Sequence, residues 1–147
     1  MYDRHLSLTV RRSLIDWQIN QSDMTRTILY VDDNSQRLLV LPARLMKLGY
    51  KVLTASSGAE GLRIFLEKQI DLVIVDYYMP GMSGDVVALE MKNLKPTVPV
   101  IMLSGTFSLP AMVVAIVDGF ISTSDAPDAL INKIQELLDL CRSQKAS

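Results

Sequence analysis

The chain is predicted to be an α/β domain, a doubly wound open sheet of five parallel strands in the order 2-1-3-4-5. Three observations lead there. Short apolar runs alternate with segments of helical period along residues 27–141, the middle runs are apolar throughout, and no repeat or low-complexity tract interrupts them. Continuous apolar strands suit a parallel sheet covered on both faces. At 147 residues the chain has the length of one domain with a sizeable core.

The elements follow in order. "TILYV" (27–31) is the first strand. The first helix carries Leu38, Leu41, Leu45 and Leu48 at i, i+3, i+7 and i+10, and closes on Gly49 as a left-handed cap. Pro42 inside it is expected to kink it. "KVLTA" (51–55) is the second strand, and the helix after it opens with Ser57 and Glu60 at capping-box spacing. "DLVIV" (71–75) and "VPVIML" (98–103) are the third and fourth strands. The fourth helix lies in "SLPAMVVAIVDG", where Ser108 is a candidate cap, Pro110 suits the first turn, and Ala111 to Val117 are all apolar. A helix apolar all round is expected to be buried or at an interface. "GFIS" (119–122) is the fifth strand, and the last helix sets Leu130, Ile134, Leu137 and Cys141 along one face.

Composition narrows the chemistry. Lys and Arg total 15 against 16 for Asp and Glu, so no basic footprint for nucleic acid or an anionic membrane is present. The longest apolar run, residues 109–117, is far below the ~20 residues of a membrane span, and the N-terminus lacks a signal-peptide core, so a soluble cytoplasmic protein is expected. One cysteine, Cys141, excludes an intrachain disulfide and a Cys-rich metal site. The one histidine, His5, lies in the leading arm, so the body cannot build a serine triad, a Cys–His pair or a histidine metal cluster. Carboxylates and hydroxyls remain.

In an open parallel sheet, ligands sit beyond the carboxyl ends of the strands, where the strand order reverses. Asp32 and Asp33 end the first strand, Asp76 the third and Ser104 the fourth, and Thr123 follows the fifth, so all converge on that crevice. Three like charges at close range raise one another's pKa or hold a cation between them, and an all-oxygen donor set favours a hard ion such as Mg²⁺. Asp76 is then a candidate nucleophile as well as a ligand, able to form an aspartyl phosphate, with Ser104 donating a hydrogen bond to the phosphoryl group. Any one of these acids alone reads as an ordinary turn or N-cap residue; their convergence is the signal.

"VDDNS", "VDYYMPGMSG" and "IMLSG", in that order and each at a strand end, resemble the receiver domain of two-component response regulators over about residues 26–140. The predicted strand order is also that of flavodoxin and a chemotaxis receiver, so the fold expectation draws on known cases. The resemblance implies a flavodoxin-like receiver fold and a phosphoprotein that takes a phosphoryl group on Asp76 from a histidine kinase or phosphotransfer protein. It implies that Asp32 and Asp33 organise Mg²⁺, with Asp33 as the direct ligand, and that Tyr78 gives a backbone carbonyl to the metal. Ser104 matches the switch hydroxyl, Phe120 the aromatic that swings when that hydroxyl moves, and Pro80 and Gly84 the loop pattern. The departure is Thr123, which with Ser124 stands where the family has lysine followed by proline. It predicts weak coupling between phosphorylation and conformational change, because a charged donor is replaced by a neutral one.

The expected boundaries are an arm at 1–24, read as a disordered extension or a docking helix, the domain at 25–142, and a tail at 143–147 with no output domain. Signalling would then pass to a downstream protein partner in trans, or to a second copy through the fourth helix and fifth strand. Two other readings are a degenerate receiver acting as a phosphorylation-independent interaction module, and a phosphohydrolase of the haloacid dehalogenase type. The last requires a second acid two residues beyond the nucleophile, and Tyr78 stands there.

Overall fold

Side chains alternate along a strand, so each strand of a covered sheet feeds two cores. In the computed structural model, which describes residues 25–105, 108–125 and 127–146, the strands are β1 (Thr27–Val31), β2 (Lys51–Ala55), β3 (Leu72–Asp76), β4 (Val100–Ser104) and β5 (Gly119–Ser122). The helices are α1 (Arg37–Lys47), α2 (Gly58–Glu67), α3 (Gly84–Leu94), α4 (Ala111–Ile116) and α5 (Pro127–Ala146). All strand pairs are parallel and the order is β2-β1-β3-β4-β5, as predicted. The arm at 1–24 lies outside the described residues.

Leu29, Val31, Val73, Val75 and Met102 pack on one face against Phe65 of α2, Val87, Ala88 and Met91 of α3, and Val113 of α4. Ile28, Tyr30, Leu72, Ile74, Ile101 and Leu103 pack on the other against Leu45 of α1 and Leu130, Ile134 and Leu137 of α5. The helices thus cover both faces, which explains why β3 and β4 are buried along their whole length. None of the described helices is long and apolar enough to cross a membrane.

Several local expectations shift. β3 and β4 reach one residue further than the apolar runs suggest, so Asp76 and Ser104 are the last strand residues. β4 starts at Val100 because Pro99 has no N–H to donate; its carbonyl accepts from Val73 N at 2.9 Å. α1 runs through Pro42 as one helix, with Pro42 buried, and the chain leaves it through Gly49 at φ 97°. Leu48 falls past the last turn and is half exposed instead of joining the Leu45 stripe. Ser57 Oγ accepts from Glu60 N at 3.2 Å, but Glu60 Oε2 returns to Ser56, N at 3.0 Å and Oγ at 3.1 Å, so the box closes one residue early.

The fourth helix departs further. Pro110, not Ser108, occupies the N-cap of α4, and the helix has six residues. Val113 is buried while Met112 is 80% exposed and Val114 51% exposed, so an all-apolar helix here leaves one side facing outward. α5 extends to Ala146, across most of the segment assigned to a tail.

Candidate functional site

The carboxyl ends of β1, β3, β4 and β5 meet at one edge of the sheet. Asp32 follows β1 and its N–H donates to Ala55 O at 3.0 Å, extending the ladder by one bond. Alternation puts Asp32 on the same face as Tyr30, and Asp76 on the same face as Ile74. The result is a cluster of Asp32, Asp33 and Asp76 whose ligand oxygens all lie within 4.8 Å of one another. Asp32 is fully buried, Asp76 is 4% exposed and Asp33 is open to solvent. Two fixed acids and one accessible acid, all oxygen donors with no His or Cys among them, fit a hard divalent cation entering from the solvent side.

The loop after β3 is shaped by Asp76 itself. Gly84 N donates to Tyr77 O at 2.9 Å, drawing the start of α3 so close that a Cβ at Gly84 would collide with the carbonyl of Asp76 and lie 2.8 Å from Tyr77 Cα. Tyr77 N donates to Leu103 O at 2.8 Å, which locks the residue after the acid onto β4. A depression of about 530 Å³ opens beside Asp33, lined by Tyr77, Tyr78, Met79, Pro80, Ser83 and Asp85. Tyr78 has its ring largely exposed there, edge-on to Tyr77 at a centroid distance of 4.8 Å. A second cavity, about 250 Å³, lies around Arg26, Asp71, Val98 and Cys141 and holds none of the clustered acids.

Sequence reasoning missed two members of the site. Tyr30, fully buried, donates its hydroxyl hydrogen to Asp32 Oδ2. Arg37, on the first turn of α1, lies across the acids: its Nε is 2.8 Å from Asp32 Oδ2, and its Nη2 is 3.2 Å from Asp32 Oδ1 and 3.4 Å from Asp76 Oδ2. The Nε contact is close but poorly aligned for a hydrogen bond, so the Nη2 pair carries the directional interaction. Asp32 Oδ1 also accepts from Asn34 N at 2.9 Å. Both oxygens of Asp32 are therefore engaged by the protein.

Electrostatics follow from this packing. Burial, then the charges of Asp32 and, more weakly, Asp33, push Asp76 up to about 6, against smaller opposing pulls from Arg37 and the Tyr77 backbone. Burial and the hydrogen bond to Asp32 raise the Tyr30 hydroxyl far out of reach of physiological pH. Burial works to lower Arg37, but the hydrogen bond and charge of Asp32, followed by the charge of Asp76, outweigh it and raise the guanidinium. Asp76 is thus a carboxylate at neutral pH whose charged form burial and Asp32 penalise more than Arg37 relieves, a good state for a nucleophile or a metal ligand.

The remaining predicted residues lie at the neighbouring strand ends. Ser104 is fully buried and its carbonyl accepts from Thr123 N at 2.8 Å, which ties the end of β4 to the turn after β5. Thr123 itself is exposed. Phe120 is half-buried and packs on the α2–α3–α4 side, the side that alternation gives to Ser104 next to Met102. Ser122 Oγ, opposite Ser104 in the register, is 2.8 Å from Ser124 Oγ.

Comparison with known proteins gives a consistent answer. A family described as "Response regulator receiver domain" matches residues 28–135. The transcriptional regulatory protein GlrR of Escherichia coli (strain K12) is 40% identical over 115 residues, which cover 76% of this chain and 26% of GlrR, so the chain spans about a quarter of that relative's length. A CheY-like receiver domain protein from Methanospirillum hungatei superposes with a TM-score of 0.76 at 30% identity, covering 82% of this chain and 98% of that one. Response regulator TrrA of Thermotoga maritima, solved with Mg²⁺ and BeF, gives 0.73 at 32% identity over 77% and 99% of the two chains. TrrA has also been solved in complex with the histidine kinase ThkA, where it matches at 34% identity with a TM-score of 0.73 over 78% and 99%.

Proposed function

Because the chain belongs to the response regulator receiver domain family, we propose that it is a signalling phosphoacceptor, not an enzyme, whose acceptor is Asp76. The observation that carries this is the placement of a nearly buried carboxylate at the end of β3, with its oxygen within 4.8 Å of oxygens of two further acids. Above pH 6 Asp76 is largely ionised and able to attack. With phosphohistidine as donor, an Asp76 oxygen forms a bond to phosphorus while the P–N bond breaks. The electron pair of that bond goes to the imidazole nitrogen, which takes up a proton. The complex of TrrA with a histidine kinase supports a kinase or phosphotransfer protein as the donor, and a cytoplasmic place of action goes with such a donor.

Asp33 and Asp76, with the Tyr78 backbone carbonyl and Asp32 behind them, would hold Mg²⁺, which when bound supplies positive charge to the acceptor and phosphoryl oxygens. Ser104 donates its hydroxyl hydrogen to a phosphoryl oxygen, and Phe120, half-buried on the same side of the sheet, follows that movement. The readout is a protein partner. The outward side of α4, with Met112 and Val114, is available for it.

A second reading keeps a specific observation in its favour. Thr123 at the lysine position suits a degenerate receiver that binds partners without phosphorylation. The test is incubation with acetyl phosphate, with and without Mg²⁺, and mass spectrometry after trapping the ester. A Mg²⁺-dependent phosphate on Asp76, absent from Asp76→Asn, is expected. Failure of wild type to take phosphate under these conditions would overturn the acceptor reading and leave the interaction module.

A further inference from the structure

We propose that Arg37 is the phosphoryl-binding cation of this site, supplied from the first turn of α1 in place of the lysine that Thr123 displaces. This rests on the reading of Asp76 as the acceptor. The geometry is specific: Arg37 Nη2 reaches Asp32 Oδ1 at 3.2 Å and Asp76 Oδ2 at 3.4 Å, so one nitrogen already bridges the acceptor and its buried neighbour. Among the described residues, Arg37 is the only cation in an ion pair with Asp76.

The position is held, not incidental. Asp32 is immobilised by the Tyr30 hydroxyl and by Asn34 N, and Arg37 is held to it by the Nη2 hydrogen bond, with Nε in ion-pair contact. The Arg37 side chain as a whole is nevertheless 42% exposed, although its Nε is buried against Asp32, so the outer end of the fork has room to adjust without leaving Asp32. Charge supports the same role. Three carboxylates and one guanidinium leave the cluster two negative charges, which a divalent cation matches. When an Asp76 oxygen gains its bond to phosphorus, the phosphoryl group is attached to the carboxylate that Nη2 already contacts at 3.4 Å. Arg37 then donates N–H hydrogen bonds to a phosphoryl oxygen. No bond to Arg37 forms or breaks, and the phosphorus leaves its donor as described above. Planar guanidinium is well suited to this contact, and its charge makes the hydrogen bond stronger than any from Thr123.

The experiment uses beryllofluoride with Mg²⁺ as the phosphoryl probe, read by calorimetry and by NMR shifts, on wild type, Arg37→Lys, Arg37→Ala and the double variant Arg37→Ala/Thr123→Lys. Arg37→Ala is expected to bind Mg²⁺ alone at least as well as wild type but to lose about tenfold or more in beryllofluoride affinity, the scale of one charged hydrogen bond. Arg37→Lys should recover part of that loss, and the double variant should recover most of it by returning the cation to the β5 side. Equal beryllofluoride affinity in wild type and Arg37→Ala would overturn the proposal. So would a parallel loss of Mg²⁺ binding, or a double variant as weak as Arg37→Ala, since either marks Arg37 as support for Asp32 alone. A wild type that binds no beryllofluoride and takes no phosphate on Asp76 would instead sink the acceptor reading beneath it.

Discussion

Asp76→Asn should stabilise the metal-free domain, and the size of the gain should depend on pH. The side chain of Asp76 is 5% exposed, and its pKa lies at about 6 in the folded state against an ordinary 3.8. The folded protein therefore binds this proton more tightly than the unfolded chain does. The stabilisation that comes with the protonated form is complete below about pH 4 and is lost as the pH rises through about 6. At about 1.4 kcal/mol per pH unit, the difference amounts to ~3 kcal/mol of strain in the charged form at pH 8. Asparagine keeps the shape and removes the charge, so its advantage should be near zero at pH 4, grow between pH 4 and 6, and level off above pH 7. Urea unfolding in EDTA at several pH values measures this directly. With a slope of roughly 1–3 kcal/mol per molar urea, the midpoint should move by about 1–3 M at pH 8. Adding Mg²⁺ should remove most of the advantage, because the cation stabilises only the carboxylate. An advantage of the same size at every pH, or one that grows as the pH falls, would refute the assignment of strain to the ionised Asp76.

Three further outcomes are expected. Asp33→Ala should lower Mg²⁺ affinity at least about tenfold while leaving the fold intact, since Asp33 is the solvent-facing acid of the cluster; calorimetry showing wild-type binding would remove it from the ligand set. Tyr30→Phe should cost ~1–3 kcal/mol in denaturant unfolding, because the fully buried Asp32 loses its hydroxyl donor; an unchanged midpoint would show that Arg37 alone satisfies that oxygen. Gly84→Ala should cost at least ~1–3 kcal/mol by overpacking and, on the proposal that Asp76 is the acceptor, should also slow phosphorylation, since the added methyl collides with the Asp76 backbone; a destabilised variant with wild-type phosphorylation would separate loop packing from placement of Asp76.

The sheet order was legible because apolar runs buried on both faces leave little ambiguity, and the acids were legible because each interrupts such a run at its end. Ser104 and Asp76 could be found in the same way. Arg37 could not: an arginine at the start of a helix is an ordinary helix former, and nothing in the spacing shows that its side chain turns back over the strand ends. Tyr30 carried a signal that went unread. It stands two residues before Asp32, hence on the same side of the strand, and a buried tyrosine needs a hydrogen-bond partner for its hydroxyl. For the fourth helix, apolar content alone leaves burial and an outward interface as alternatives; the six-residue helix buries Val113 and leaves Met112 in solvent. Ser108 was given a cap that Pro110 fills by its backbone conformation.

The division of the sheet into two packed layers separates two quantities that a signalling protein must set. Asp32 and Asp76 hang from the layer of Leu45 and Ile134, whereas Ser104 and Phe120 belong to the layer of Phe65 and Met91. With Asp76 as the proposed acceptor and Ser104 and Phe120 as the proposed switch, repacking the first layer should alter how fast Asp76 is charged and discharged; repacking the second should alter how far a charged Asp76 biases the surface. Substitutions in opposite layers, such as Ile134→Val and Met91→Leu, share no partner and should combine additively. On that proposal, lifetime and amplitude of the response are set from opposite faces of one sheet.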